Sequence, residues 1–238
     1  MTEKEIRVNE LVDYYINQTN HQSVPIQIHF VDNINDAWIF YTSNDIVIRQ
    51  YLEQDFTNYN GLTMPYDGET YHLLIRNDYQ DYECTVIHEC THAFDYEWFR
   101  LSFNNGDLHI ENHKNYWSMA LYSEFHARSI AHRYFISQNI IENQADFIKQ
   151  EFLAIIESII ALKTSLANNE ISYQNFSYEL MQYIGRLDSY GIDYNNIEGF
   201  PKKLLSLYNV LYDLNTNRSS ENFDLLMRLI KVFSLADL

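Results

Sequence analysis

Residues 85–96 read Thr-Val-Ile-His-Glu-Cys-Thr-His-Ala-Phe-Asp-Tyr. His88 and His92 are four positions apart, so a helix through this stretch sets both imidazoles on one face, one turn from each other. Two imidazoles so placed can close on one ion from the same side, as a tetrahedral zinc site requires. Glu89 stands one residue round from His88. It is poorly aimed there as a ligand but suits a carboxylate beside a metal-bound water. The spacing is that of a His-Glu-x-x-His zinc site, in which the Glu is general base. With nine His and seventeen Glu in 238 residues, roughly 2% of shuffled chains would carry it, so the pattern is informative.

Outward from the motif, a helix is predicted from near Asp81 through Phe99, ending in the polar stretch Asn104-Asn-Gly-Asp107. Ile87, Thr91, Phe94 and Trp98 form a core-facing stripe beside the polar stripe of His88, His92 and Asp95. Cys84 and Cys90 lie six apart on this helix, where their side chains diverge. The expectation is two free thiols, with Cys90 turned away from the metal face and buried.

A zinc site needs a third protein ligand. The metzincin continuation is excluded, because its Gly and His positions hold Asp95 and Trp98. The next long helix, predicted over about 115–137, carries Trp117, Ala120, Leu121, Glu124, Ala127 and Ala131 on one stripe. A carboxylate amid apolar and small residues is expensive unless a cation meets it. Glu124 is therefore the candidate third ligand, the competing reading being an ion pair with Arg128 one turn on. His109 and His113 fall in a stretch too polar for a helix, and His126 and His132 lie off the Glu124 face. All four stay unassigned.

The rest of the chain sets the frame. It is 46% hydrophobic and 16% aromatic, enough for a sizeable core and too aromatic for disorder. Sixteen Lys+Arg against 33 Asp+Glu give a formal net charge of −17, which disfavours nucleic acid and anionic membranes as partners. No apolar signal-peptide core follows Met1, and the greasiest stretch, Phe152 to Leu162, is interrupted by Glu157 and Ser158. The expectation is a cytoplasmic protein with no membrane span; oligomeric state stays open.

The first twenty residues read as a helix with Ile6, Leu11, Tyr14 and Tyr15 on one face. Strands are predicted at Ile26–Val31, Ala37–Tyr41 and Thr70–Arg76. Residues 45–56 are ambiguous, and Gly61 to Gly68 reads as a turn or loop by composition. Beyond Asn143 the texture is helical only, about four helices, with breaks near Asn168-Asn169, Gly191 to Pro201 and Asn215 to Ser220. The fold class is α+β with an all-helical C-terminal part, divided into residues 1–140 and 141–238.

His88-Glu89-Cys90-Thr91-His92, with Glu124 in Ser-Glu-Phe-His-Ala-Arg, resembles the gluzincin-type zinc metallopeptidases. The size, the cytoplasmic character and the Glu124-to-Ala127 pattern are most similar to the ImmA/IrrE-like peptidases of bacteria and their mobile elements. The similarity spans about residues 70–135. It implies a small zincin-like sheet with an active-site helix, Zn2+ held by His88, His92 and Glu124, and Glu89 as catalytic base. A protein or peptide substrate, often a regulatory protein, is implied as well.

Several gluzincins carry an Asp four residues past the third ligand; Arg128 stands there, and Asp95 could take over the orienting role. By the same analogy, residues 70–76 would be the strand edge that holds an extended substrate. Tyr122, His126, Arg128 and His132 all remain candidates for stabilising the oxyanion. The alternative function is a non-catalytic, zinc-stabilised interaction module that uses its helical C-terminal half. Glu89 favours catalysis, because a purely structural zinc site has no need of it.

Overall fold

The computed structural model describes residues 3–19, 24–42, 56–139, 144–197 and 200–235. The chain is α+β: mainly helical, with a small mixed sheet of three strands among the described residues. It divides into two compact units, Met1–Leu108 and His109–Leu238. The boundary expected at residues 140–141, and the ambiguous segment 45–56 apart from Phe56, lie outside the described residues.

In the first unit, β1 (Ile26–Val31) runs parallel to β3 (Tyr71–Arg76), and β2 (Gly61–Thr63) pairs antiparallel on the other side of β3. Ile28 is opposite Leu73, and Leu62 opposite Leu74. Successive side chains of β3 alternate between faces. Tyr71 donates to Glu97 of α3 (Tyr82–Ser102) on one face. Leu74 packs with Trp38 of α2 (Ile34–Thr42) on the other. Both faces of the sheet are thus covered, and Leu73, Leu74 and Ile75 are fully buried. The N-terminal helix α1 (Glu3–Thr19) packs on α3, with Tyr15 stacked on Phe94 at 5.0 Å.

Four local expectations are corrected. Ala37–Tyr41 is helical, within α2, rather than a strand. A strand would set Trp38 and Phe40 on one face, yet Trp38 is 7% exposed and Phe40 72%. The Asn33 carboxamide oxygen instead accepts the Asp36 N–H and starts a helix whose Ile34, Trp38 and Thr42 are buried at four-residue spacing. Residues 61–63 are a strand, not loop, because pairing to β3 overrides the turn-rich composition around them. Ile6 lies outside the buried face of α1, which is Val8, Leu11 and Tyr15. Residues 71–76 are central rather than an edge: β1 and β2 occupy both sides of β3, so its backbone is not available to hold a substrate.

The second unit contains α4 (Tyr116–Gln138), α5 (Gln144–Ala167), α6 (Tyr173–Ser189), α7 (Lys202–Leu214) and α8 (Ser220–Leu235). The last four are the helices expected beyond Asn143. α4 lies at the centre, packed chiefly on α6 and also on α7 and α8. The α4–α6 approach depends on Gly185, where an added Cβ would lie 2.5 Å from the Phe125 carbonyl oxygen and 2.9 Å from Arg128 Cβ. Buried Asp188 ties three helices together, accepting from Ser129 and Arg133 of α4 and from the Tyr208 hydroxyl of α7. No helix among the described residues is long and apolar enough to cross a membrane.

Candidate metal centre

The His-Glu-x-x-His motif lies in the middle of α3, which is buried over most of its circumference there: Val86, Ile87, Cys90, Thr91 and Ala93 are all inaccessible. Of the expected core stripe, Ile87, Thr91 and Phe94 are buried and Trp98 is half-buried. Little solvent reaches the polar side chains at the centre of α3, which makes protein partners important there.

His88 and His92 meet each other. Their Nε2 atoms are 3.0 Å apart, with ring centroids at 4.6 Å and planes at 85°. Two imidazole nitrogens at ordinary zinc bond lengths and a tetrahedral angle would be separated by about 3.3 Å. The pair therefore stands within a few tenths of an ångström of a chelating bite. His92 is 8% exposed, and its ring stacks on Tyr96 at 5.6 Å.

Glu89 is 5% exposed and is held from β2. The Thr63 hydroxyl lies 2.8 Å from its Oε2 and 2.9 Å from its backbone oxygen. Gly61, two residues earlier, passes so close that a Cβ there would lie 2.8 Å from Oε1 of Glu89 and 2.4 Å from Thr85 Cγ2. Cys90 beside it is in no disulfide, nor is Cys84, and burial foremost, with the Glu89 charge second, pushes the Cys90 thiol pKa well up. It is an inert buried thiol. Asp95, one helical step beyond His92, is buried as well.

Glu124 belongs to the second unit. It is 1% exposed at the middle of α4, flanked by fully buried Leu121, Phe125 and Ala127. A carboxylate so placed is stable only with strong donors or a cation. Arg128, the competing partner on the same helix, directs its Nη2 to Gln182 of α6 at 2.7 Å.

Three of the four candidate oxyanion donors also bond within the second unit. These are Tyr122 to Asn215, Arg128 to Gln182, and His132 to the Ser189 hydroxyl. The fourth, His126, stacks on Tyr122. His109 pairs with Glu111, and His113 Nδ1 accepts the Asn115 N–H; the segment between them is a single 3-10 turn, not a helix.

A second polar cluster was not foreseen. On the sheet face beneath α2, Tyr41, His29, His72 and Asp67 form a row with successive separations of 3.0, 2.9 and 3.0 Å. The Asp67 carboxylate accepts from His72 Nε2, and the His29 ring bridges His72 Nδ1 to the Tyr41 hydroxyl. Burial, and secondly the neighbouring His72, lower the His29 pKa. The row exists because the register sets Gln27 opposite His72, which puts His29 on the same face one pleat along. Strand pairing is not written in either strand alone, so no sequence signal marks it.

No family model matches the chain, and no curated protein or solved structure matches it either.

Proposed function

We propose that the chain is a zinc-dependent metallopeptidase of gluzincin type, similar in kind to the ImmA/IrrE-like peptidases, with a zincin-like first unit. The observation that carries this reading is the His88–His92 bite on a buried helix with Glu89 held beside it. A structural zinc site needs the bite but not the carboxylate. The ligands proposed are His88 and His92 of the first unit and Glu124 of the second. Two imidazoles and a carboxylate are a donor set suited to zinc.

Zinc bound there would supply a Lewis acid that acidifies water and polarises a peptide carbonyl. The chain's own part is carried by Glu89. Its carboxylate takes a proton from the attacking water and returns it to the departing amine. Burial of α3 keeps bulk water from competing for that carboxylate. The proposed substrate is a protein or peptide, and Cys84 and Cys90, neither in a disulfide, suit a reducing, cytoplasmic setting.

Glu89→Gln tests the reading. The variant is expected to bind zinc as the wild type does while peptide hydrolysis falls by about 10²–10⁴-fold. Undiminished hydrolysis would remove Glu89 as the base. Zinc binding by a wild type that hydrolyses nothing would favour the non-catalytic interaction module.

A further inference from the structure

We infer that β2 decides which oxygen of Glu89 does the chemistry: Thr63 holds Oε2, Gly61 keeps the space at Oε1 clear, and Oε1 is the proton-accepting atom. The inference rests on the hydrolase reading. Gly61 and Thr63 are two apart on β2 and so face α3 together. The Thr63 side chain is buried, and its hydroxyl has a single proton to share between Oε2 at 2.8 Å and the Glu89 carbonyl at 2.9 Å. The carbonyl already has the helix ladder as its partner, and a charged acceptor makes the stronger bond. The proton therefore belongs to Oε2.

Oε1 makes no protein hydrogen bond among the described residues. Its neighbour across the gap is bare backbone. A side chain at position 61 would collide with Oε1 at 2.8 Å and with Glu89 Cγ at 2.9 Å, and would push the carboxylate out of place. One oxygen is thus tied and the other presented, which fixes the terminal torsion of Glu89 before any substrate arrives. Thr63 touches no reacting atom; it is a positioning residue, and Gly61 makes the room.

Thr63→Val keeps the branched shape and removes the hydroxyl, and Thr63→Ser keeps the hydroxyl. Zinc-loaded proteins would be assayed on a mixed peptide library read by mass spectrometry. Zinc-stripped proteins would be used for thermal midpoints of Thr63→Val, Glu89→Ala and the double variant. Thr63→Val is expected to lose about 10- to 100-fold in kcat with KM and zinc content unchanged, as a small misplacement of a reacting group does. Thr63→Ser should recover most of that loss. The midpoint shifts should be non-additive, because either single change ends the same hydrogen bond.

An active wild type with unchanged kcat in Thr63→Val, or with Thr63→Ser as poor as Thr63→Val, overturns the inference alone. Additive midpoints overturn it as well. A zinc-bound wild type that hydrolyses nothing, with non-additive midpoints, removes the hydrolase reading and the catalytic meaning of the bond while leaving the bond itself.

Discussion

His132 shows how burial at a single residue reaches a measurable property. Burial foremost, with Arg186 nearby, lowers its pKa to about 4. Its Nδ1 must donate to the Ser189 oxygen, since that hydroxyl donates in turn to the Arg186 carbonyl. The folded protein therefore keeps the ring neutral where the unfolded chain, near pKa 6.5, would protonate it. The unfolded state binds more protons between about pH 6.5 and 4, so the His132 contribution is complete above that window and is lost as pH falls through it. The thermal midpoint of wild type should drop more between pH 7 and pH 4 than that of His132→Gln. Equal drops would contradict the assignment.

The metal-motif residues were legible at this scale, because a four-residue spacing maps directly onto a helix face. Thr63 was not. It stands in a composition that reads as turn, on a strand too short to show alternation, and it matters only through a pairing the local sequence does not encode.

Among the elements, the long helices α3 and α4 could be read almost to their ends, since many apolar positions repeat the helical period. The five-residue run Ala37–Tyr41 could not, because so short an apolar stretch fits either period. Asn33 was the overlooked signal, a capping residue just ahead of Ile34. Gly185 gives the sharpest test of how α4 and α6 pack. Glycine to alanine within a helix ordinarily stabilises by about 1 kcal/mol. Here the added methyl would meet the Phe125 carbonyl oxygen at 2.5 Å and Arg128 Cβ at 2.9 Å, neither of which can yield without moving α4. Gly185→Ala is expected to destabilise by about 1–3 kcal/mol instead, the cost of overpacking. Denaturant unfolding decides it, and a gain in stability would contradict the close approach.

For the whole molecule, the α+β class and the helix-only C-terminal texture followed from where strand-like runs stop along the chain. The order of the strands did not, and with it went the expected role of residues 71–76. Strand order is set by pairings between segments distant in sequence, which no single strand encodes. The charge of −17 sets a further condition on any partner: an approaching peptide should be neutral or basic, and association with a basic one should weaken as salt rises.

The central claim is that His88, His92 and Glu124 together hold zinc, and the direct measurement is metal content by elemental analysis. Wild type should carry about one zinc per chain, and Glu124→Ala, with its helicity intact, much less, because a site reduced to two protein ligands binds weakly. No zinc in wild type after reconstitution, or full zinc in Glu124→Ala, would contradict the account.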